Sequence, residues 1–296
     1  MYGKLTKLNL PKSRVEADPD KRNFRDFVLW FTTGGSKFKG HLLKWDSPWG
    51  EGWPGWHLEC SAMSMKYLGE HFDIHTGGTD HISIHHTNEI AQSEAATGNK
   101  FVNYWLHGAF LIFKGKKVSK SEGGLYTISE LEKKGFNPLE FRYLTLTTHY
   151  RKPLNFSLRN LEKSQEAYQR LRKTTLGLKD DKKTNKKYLS EFKKAVNNDL
   201  DMPKALQVLW GFVRDERASG RYRSIKEMDR VFGLDLLKID IPLKIKRLAE
   251  ERESLRKKKD WKRADHLREK IEKAGYTLSD VKGGGYFISG NLLKKD

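Results

Sequence analysis

The sequence predicts an α/β unit followed by an α-helical bundle and a small C-terminal domain. Three observations carry this expectation. Residues 72–98 read as strand, turn, helix: Phe72 and Ile74 alternate with polar neighbours, Gly77-Gly78 supplies a turn in conformations open to glycine, and Ile84, Ala91 and Ala95 share one helical face until Gly98-Asn99 stops it. From Ser157 onward glycines become scarce and long charged helical patterns replace the strands. The 296 residues suggest two or so domains, and 37% hydrophobic residues can bury a core.

The elements follow in order. Residues 1–22, polar and containing Pro11 and Pro19, read as a linker. Asn23 to Trp30 is expected to form a short helix bearing Phe24, Phe27 and Trp30. Gly34, Gly35, Gly40, Pro48, Gly50, Gly52, Pro54 and Gly55 then mark a long loop of the kind that binds ligands. A helix from near Gly55 to Leu68 carries Cys60 in its first turns. After the strand-turn-helix stretch, Val102–Leu106 and Gly108–Phe113 read as strands, joined through the Lys114-Gly115 turn to Lys116–Ser121. Helices are expected at Thr127–Lys134, with Ile128 and Leu131 inward, and from Pro138 to Thr148. A boundary between Tyr150 and Ser157 separates an α/β unit, 23–150, from a bundle, 151–240, with Leu158, Leu161, Ala167 and Leu171 on its first inward stripe. Lys179–Lys187 is a loop, and helices resume at Leu189–Val196 and Ala205–Val213. The C-terminal domain, 241–296, is helical from Leu243 to Gly275, and Gly283–Gly285 before Tyr286-Phe287 suggests a small hairpin.

Bulk properties restrict function. A net charge of +19 points to a polyanionic partner, nucleic acid first. No apolar run approaches a membrane span and no N-terminal signal pattern is visible, so no membrane partner is expected. A single cysteine excludes an intramolecular disulfide framework and suggests a reducing, cytoplasmic setting.

Three clusters carry candidate chemistry. His85 and Glu89 lie four apart on one helical face, and with Cys60 they offer nitrogen, oxygen and sulfur donors suited to zinc. The same residues also read as a core histidine, a solvated glutamate and a lone buried cysteine. Lys116-Lys117-Val118-Ser119-Lys120-Ser121, closed by Gly123-Gly124, is either an anion clamp for a triphosphate or an exposed basic loop. Arg256–Lys259, Trp261, Arg263, Asp265 and Arg268 form either an RNA surface or a solvated amphipathic helix with Trp261 inward.

At these residues the chain resembles cysteinyl-tRNA synthetases, a family of class I aminoacyl-tRNA synthetases. Ser47-Pro-Trp-Gly50 and Pro54-Gly-Trp-His-Leu-Glu-Cys-Ser-Ala-Met63 resemble the family's cysteine-site segment. Phe72-Asp-Ile-His-Thr-Gly-Gly-Thr-Asp80 and His85-His-Thr-Asn-Glu-Ile-Ala-Gln-Ser-Glu94 follow at family spacing. Lys117-Val-Ser-Lys-Ser121 resembles the second class I motif with valine for methionine. His149-Tyr-Arg151, Asn198–Leu206 and Lys259–Asp265 extend the resemblance to the tail. It implies the second half of a class I Rossmann-like catalytic domain, then the bundle, then an anticodon-binding domain. The family's His-Ile-Gly-His motif does not occur here, so the resemblance implies the C-terminal portion of such an enzyme: a fragment, a truncated gene product, or one half of a split enzyme whose partner is a separate N-terminal half.

The resemblance implies roles. Cys60, His85 and Glu89 would hold Zn²⁺. Trp56 and His75 would line an L-cysteine pocket. Asp80 would accept hydrogen bonds from the ATP ribose beside Gly77 and Gly78. Lys117 and Lys120 would stabilise the pyrophosphate of Mg²⁺-bound ATP. Arg256, Trp261 and Asp265 would read the anticodon of tRNA(Cys). The expected activity is cysteine–tRNA ligation through cysteinyl-adenylate. The alternatives are a non-catalytic tRNA-binding chain and a ligase joining cysteine to an amino sugar.

Overall fold

The computed structural model describes residues 21–23, 25–33, 41–113, 116–117, 126–238, 241–280 and 286–290. The linker up to residue 20, Phe24, the glycines at 34, 35 and 40, the Lys114-Gly115 turn, Val118–Ser121 and Gly283–Gly285 lie outside them. The chain divides into two compact units, one drawn from Met1–Gly123 with Tyr150–Asn155 and the other from Gly124–His149 with Phe156–Asp296. The architecture is α/β followed by helical and α+β parts.

The first unit opens on β1 (Trp30–Thr32), antiparallel to β2 (Gly52–Pro54), with Phe31 opposite Trp53. The expected helix at 23–30 does not form. The described residues make a turn closed by the Asp26 amide on the Asn23 carbonyl, with Asn23 Oδ1 accepting the Arg25 amide and Asp26 Oδ2 the Asn23 amide, and Trp30 is taken by β1. Helix α1 (Trp56–Leu68) follows, then β3 (Phe72–Gly78), α2 (His85–Thr97) and β4 (Val102–Gly108). Strands β3 and β4 are parallel, from Phe72 opposite Val102 to Gly78 opposite Gly108, so α2 is the crossover of a βαβ unit. A three-stranded sheet orders β6 (Lys116–Lys117), β5 (Leu111–Phe113) and β7 (Leu154–Phe156).

One expectation is corrected here and one is completed. Gly77-Gly78 does not make a turn: both glycines end β3, and neither has a positive φ. Position 77 needs glycine because a Cβ there would meet His86 Cε1 at 2.6 Å and His81 Nδ1 at 2.8 Å. On α2 the apolar face is the outer one: Ile84 and Ala91 are exposed, while His85, His86, Asn88, Glu89 and Ser93 are buried. A helix turns its polar face inward only where those groups find partners.

In the second unit, capping boxes start α3 (Ile128–Lys133) at Thr127 and α4 (Pro138–Leu146) at Asn137. Leu131 is buried in α3, whereas Ile128 is exposed at its first position. The bundle continues through α5 (Leu158–Leu176), α6 (Lys186–Asn197), α7 (Met202–Arg214) and α8 (Arg221–Phe232). Sequence patterning assigned nothing at α8, which is bounded by left-handed Gly220 and Gly233 and contributes Ile225, Met228 and Phe232 to the core. A separate core of Ile245, Ala249, Ile271, Leu278 and Ile288 joins α9 (Leu243–Lys257), α10 (Trp261–Lys273) and the hairpin of β8 (Tyr276–Asp280) and β9 (Tyr286–Gly290). The expected single helix from 243 breaks where Lys259 takes a positive φ, and Asp260 caps a new helix through the Arg263 amide. Among the described residues no helix is long and apolar enough to cross a membrane.

Candidate metal centre

The α1 helix carries Cys60, while α2 carries His85 at its first position and Glu89 one turn on. One ligand atom from each lies within 4.8 Å of the others. Glu89 is fully buried, and its Oε2 is bonded to His75 Nε2 at 2.8 Å. Its Oε1 is different: His85 Nε2 lies 3.0 Å away, but no well-directed hydrogen bond reaches it. An idle buried carboxylate oxygen beside an imidazole nitrogen and a thiol is a donor set in want of a cation.

The electrostatics agree with that reading. Burial, and then the Glu89 charge, push the Cys60 thiol up to about 11. Burial lowers His85, against the pull of Glu89. Burial opposes the Glu89 charge, but the His75 bond and the charges of the surrounding histidines prevail and hold its carboxyl below the usual range. A divalent cation would draw the proton from the thiol, because a coordinating thiol is deprotonated. His57 Nδ1 and His85 Nδ1 are hydrogen-bonded at 2.7 Å, which leaves His85 Nε2 turned to the carboxylate.

A second donor trio, His75, His86 and Glu89, shares the carboxylate. Its members are already engaged: His75 on Glu89, and His86 Nδ1 on His107 Nε2 at 2.8 Å. Trp105 lies 4.8 Å from both rings, and burial depresses His86 to about 3. This trio supports Glu89, whereas the Cys60 set has the idle atom.

Of the expected pocket residues, Trp56 stacks on His85 with ring centroids 4.1 Å apart, and His75 holds Glu89. Asp80 is exposed in a 3-10 turn, Thr79–His81, directly after β3. Lys117 belongs to β6, but its side chain, and all of Lys120, lie outside the described residues. In the second unit, Arg256 pairs with Asp280 at 2.5 Å and lies 5.7 Å from the Trp261 ring. Trp261 is 55% exposed and Asp265 is exposed, while Ala264, Leu267 and Ile271 fill the inward face of α10. An inward Trp261 is therefore not the arrangement. Sequence reasoning missed His57, Gln92, Trp105 and His107. His57, three residues before Cys60 on the same helix, carried a local signal; His107 reaches the site only through strand pairing.

A parallel βαβ unit bearing this donor set, followed by a helical bundle, has the form of a class I aminoacyl-tRNA synthetase catalytic region. Residues 1–166 match the family profile described as tRNA synthetases class I (C) catalytic domain, and residues 239–287 match the cysteinyl-tRNA ligase anticodon binding domain. Cysteine–tRNA ligase 1 of Burkholderia lata is 41% identical over 293 residues, covering 96% of this chain and 62% of that protein. Cysteine–tRNA ligase of Treponema denticola is 40% identical over 326 residues, covering 95% of this chain and 66% of that protein. The chain belongs to the cysteine–tRNA ligase family, and it spans 62–66% of the length of these relatives. A leucyl synthetase structure, the ternary complex of Agrobacterium radiobacter K84 agnB2 LeuRS-tRNA-LeuAMS, has a TM-score of 0.45 and 13% identity, covering 67% of this chain and 34% of that one. Family membership rests on the sequence matches, not on that distant likeness.

Proposed function

We propose that this chain acts in cysteine–tRNA ligation, together with a separate N-terminal half carrying the His-Ile-Gly-His motif. The observation that carries the reading is the set of half-buried Cys60 with buried His85 and Glu89 and its idle Glu89 Oε1, in a chain 41% identical to a cysteine–tRNA ligase. In the first step the L-cysteine carboxylate attacks the α-phosphorus of ATP, and pyrophosphate leaves from cysteinyl-adenylate. In the second, a terminal ribose hydroxyl of tRNA(Cys) attacks the activated carbonyl, and AMP leaves. No protein nucleophile is required, so the chain's residues work by positioning and charge stabilisation.

Cys60, His85 and Glu89 would hold Zn²⁺, which when bound favours a substrate thiol over the near-isosteric hydroxyl of serine, a contrast that apolar contacts alone make weakly. Trp56 and His75 wall the amino-acid pocket. Asp80 accepts from the ATP ribose beside Gly77 and Gly78, and Lys117 and Lys120 neutralise the departing pyrophosphate with Mg²⁺. On the RNA side, exposed Trp261 offers a stacking face, Arg256 a planar cation and Asp265 an acceptor for a base edge. The cytoplasm is the proposed setting.

Mixing the chain with a separately made N-terminal half should yield cysteine-dependent ATP–pyrophosphate exchange and charging of tRNA(Cys). A folded, stably associated pair without exchange would sink the proposal. A second reading, tRNA binding without catalysis, draws on the exposed Trp261 and the net charge of +19, and predicts RNA binding without exchange. An amino-sugar ligase has no use for an anticodon-binding domain, and the match at 239–287 speaks against it.

A further inference from the structure

The sulfur donor sits on α1, and the nitrogen and oxygen donors sit on α2. Their spacing therefore depends on how the two helices are held together. One turn beyond Glu89, Gln92 reaches across: its Nε2 donates to the His57 carbonyl at 2.5 Å and to Ser61 Oγ at 2.6 Å. Ser93 Oγ donates to the same Ser61 Oγ at 2.8 Å. These bonds grip the turn of α1 from His57 to Ser61, which contains Cys60. Ser61 and Ser93 are 2% and 1% exposed, so the bond between their hydroxyls is shielded from water. The amide cannot be flipped, because its oxygen would then face the His57 carbonyl. As it stands, Gln92 Oε1 is buried and accepts no hydrogen bond. An unsatisfied acceptor in a helix interface costs stability there and offsets part of what the two Nε2 bonds contribute.

We infer that Gln92, Ser61 and Ser93 are positioning residues that set the distance between Cys60 and the His85–Glu89 pair, and through it the affinity and symmetry of the metal centre. This rests on the metal reading proposed above. Gln92→Met keeps the side-chain length and removes both the clamp and the orphaned oxygen. Ser93→Ala removes one bond with a smaller change, and covers the case in which Gln92→Met fails to fold.

The test uses the whole chain and Co²⁺ as probe. Co²⁺ titration, read by the thiolate-to-cobalt charge-transfer and d–d bands, is paired with thermal unfolding of the metal-free protein, and Cys60→Ala marks the thiolate band. Gln92→Met should lower Co²⁺ affinity by about 10–100-fold and alter the d–d band, as removal of a group supporting a ligand does. Its metal-free melting temperature should change little, because the orphaned oxygen goes with the two bonds. Ser93→Ala should weaken Co²⁺ binding in the same direction by less. Parent-like affinity and spectrum in both variants, or a fall in melting temperature with metal binding intact, would overturn the inference and leave the metal reading standing. Absence of a thiolate band in the parent protein would overturn both.

Discussion

Replacing Gly77 by alanine would drive a methyl group into space held by two imidazoles. The new Cβ would stand 2.6 Å from His86 Cε1, 2.8 Å from His86 Nε2 and 2.8 Å from His81 Nδ1. His86 must retreat by about 0.8 Å to reach ordinary contact at 3.4 Å. It has little room: it is 3% exposed, bonded to His107 at 2.8 Å, stacked on His75 and tilted against Trp105. Overpacking of this kind costs about 1–3 kcal/mol, and loss of the His86–His107 bond adds about 0.5–1.5 kcal/mol. Gly77→Ala should therefore destabilise the βαβ unit by about 2–4 kcal/mol. Gly211→Ala is the control, since nothing lies within 4 Å of its Cβ in the interior of α7. It should stabilise its helix by about 0.5–1 kcal/mol. Hydrogen exchange in increasing urea, followed separately on peptides from residues 72–108 and 202–214, reads the two sites independently. A Gly77→Ala protein as stable as its parent over residues 72–108 would refute the reasoning that imidazole packing, not backbone conformation, demands this glycine.

Further predictions concern the C-terminal domain. Arg252 is 1% exposed and is held by Asp280 at 2.6 and 3.1 Å, so Asp280→Ala strands a buried charge and should cost about 3 kcal/mol, less whatever solvent recovers at the part-exposed carboxylate. Arg252→Met, which removes the charge itself, should cost clearly less; equal losses in urea unfolding would contradict this. Because the bonds to Arg252 hold the Asp280 carboxyl well below its usual range, the stability it contributes is full above its unfolded value, about pH 4, and is lost as pH falls toward the folded one. Acid unfolding of 243–290 should thus begin below about pH 4 in the parent and lose this component in Asp280→Ala. Trp261→Ala should weaken tRNA(Cys) binding by about 1–3 kcal/mol at fixed salt, and unchanged affinity would remove the stacking role.

Much of the site was legible because its donors are local pairs. His85 and Glu89 are a helical i,i+4 pair, and Cys60 lies on the preceding helix. What surrounds them was not legible, since His57 meets His85, Gln92 meets His57, and His107 meets His86 through helix and strand pairing across 21 to 35 residues. Shared apolar spacing located α2 but not the face it buries: hydrogen-bonded polar groups take the buried side and Ile84 is exposed. In place of the expected helix at Asn23 there is a turn followed by β1, where Trp30 pairs with Pro54, a distant partner that aromatic spacing does not reveal. At α8, Arg221–Phe232, the mixed polar composition hid a stripe of Ile225, Met228 and Phe232 that packing makes plain.

The central claim is that Cys60, His85 and Glu89 form one metal centre. X-ray absorption at the zinc edge, on the purified chain equilibrated with Zn²⁺ and then freed of excess, tests it most directly. The account predicts one zinc per chain with a single sulfur neighbour and the remaining neighbours nitrogen or oxygen, the sulfur vanishing in Cys60→Ala. A chain that retains no zinc, or zinc without a sulfur neighbour, would contradict it.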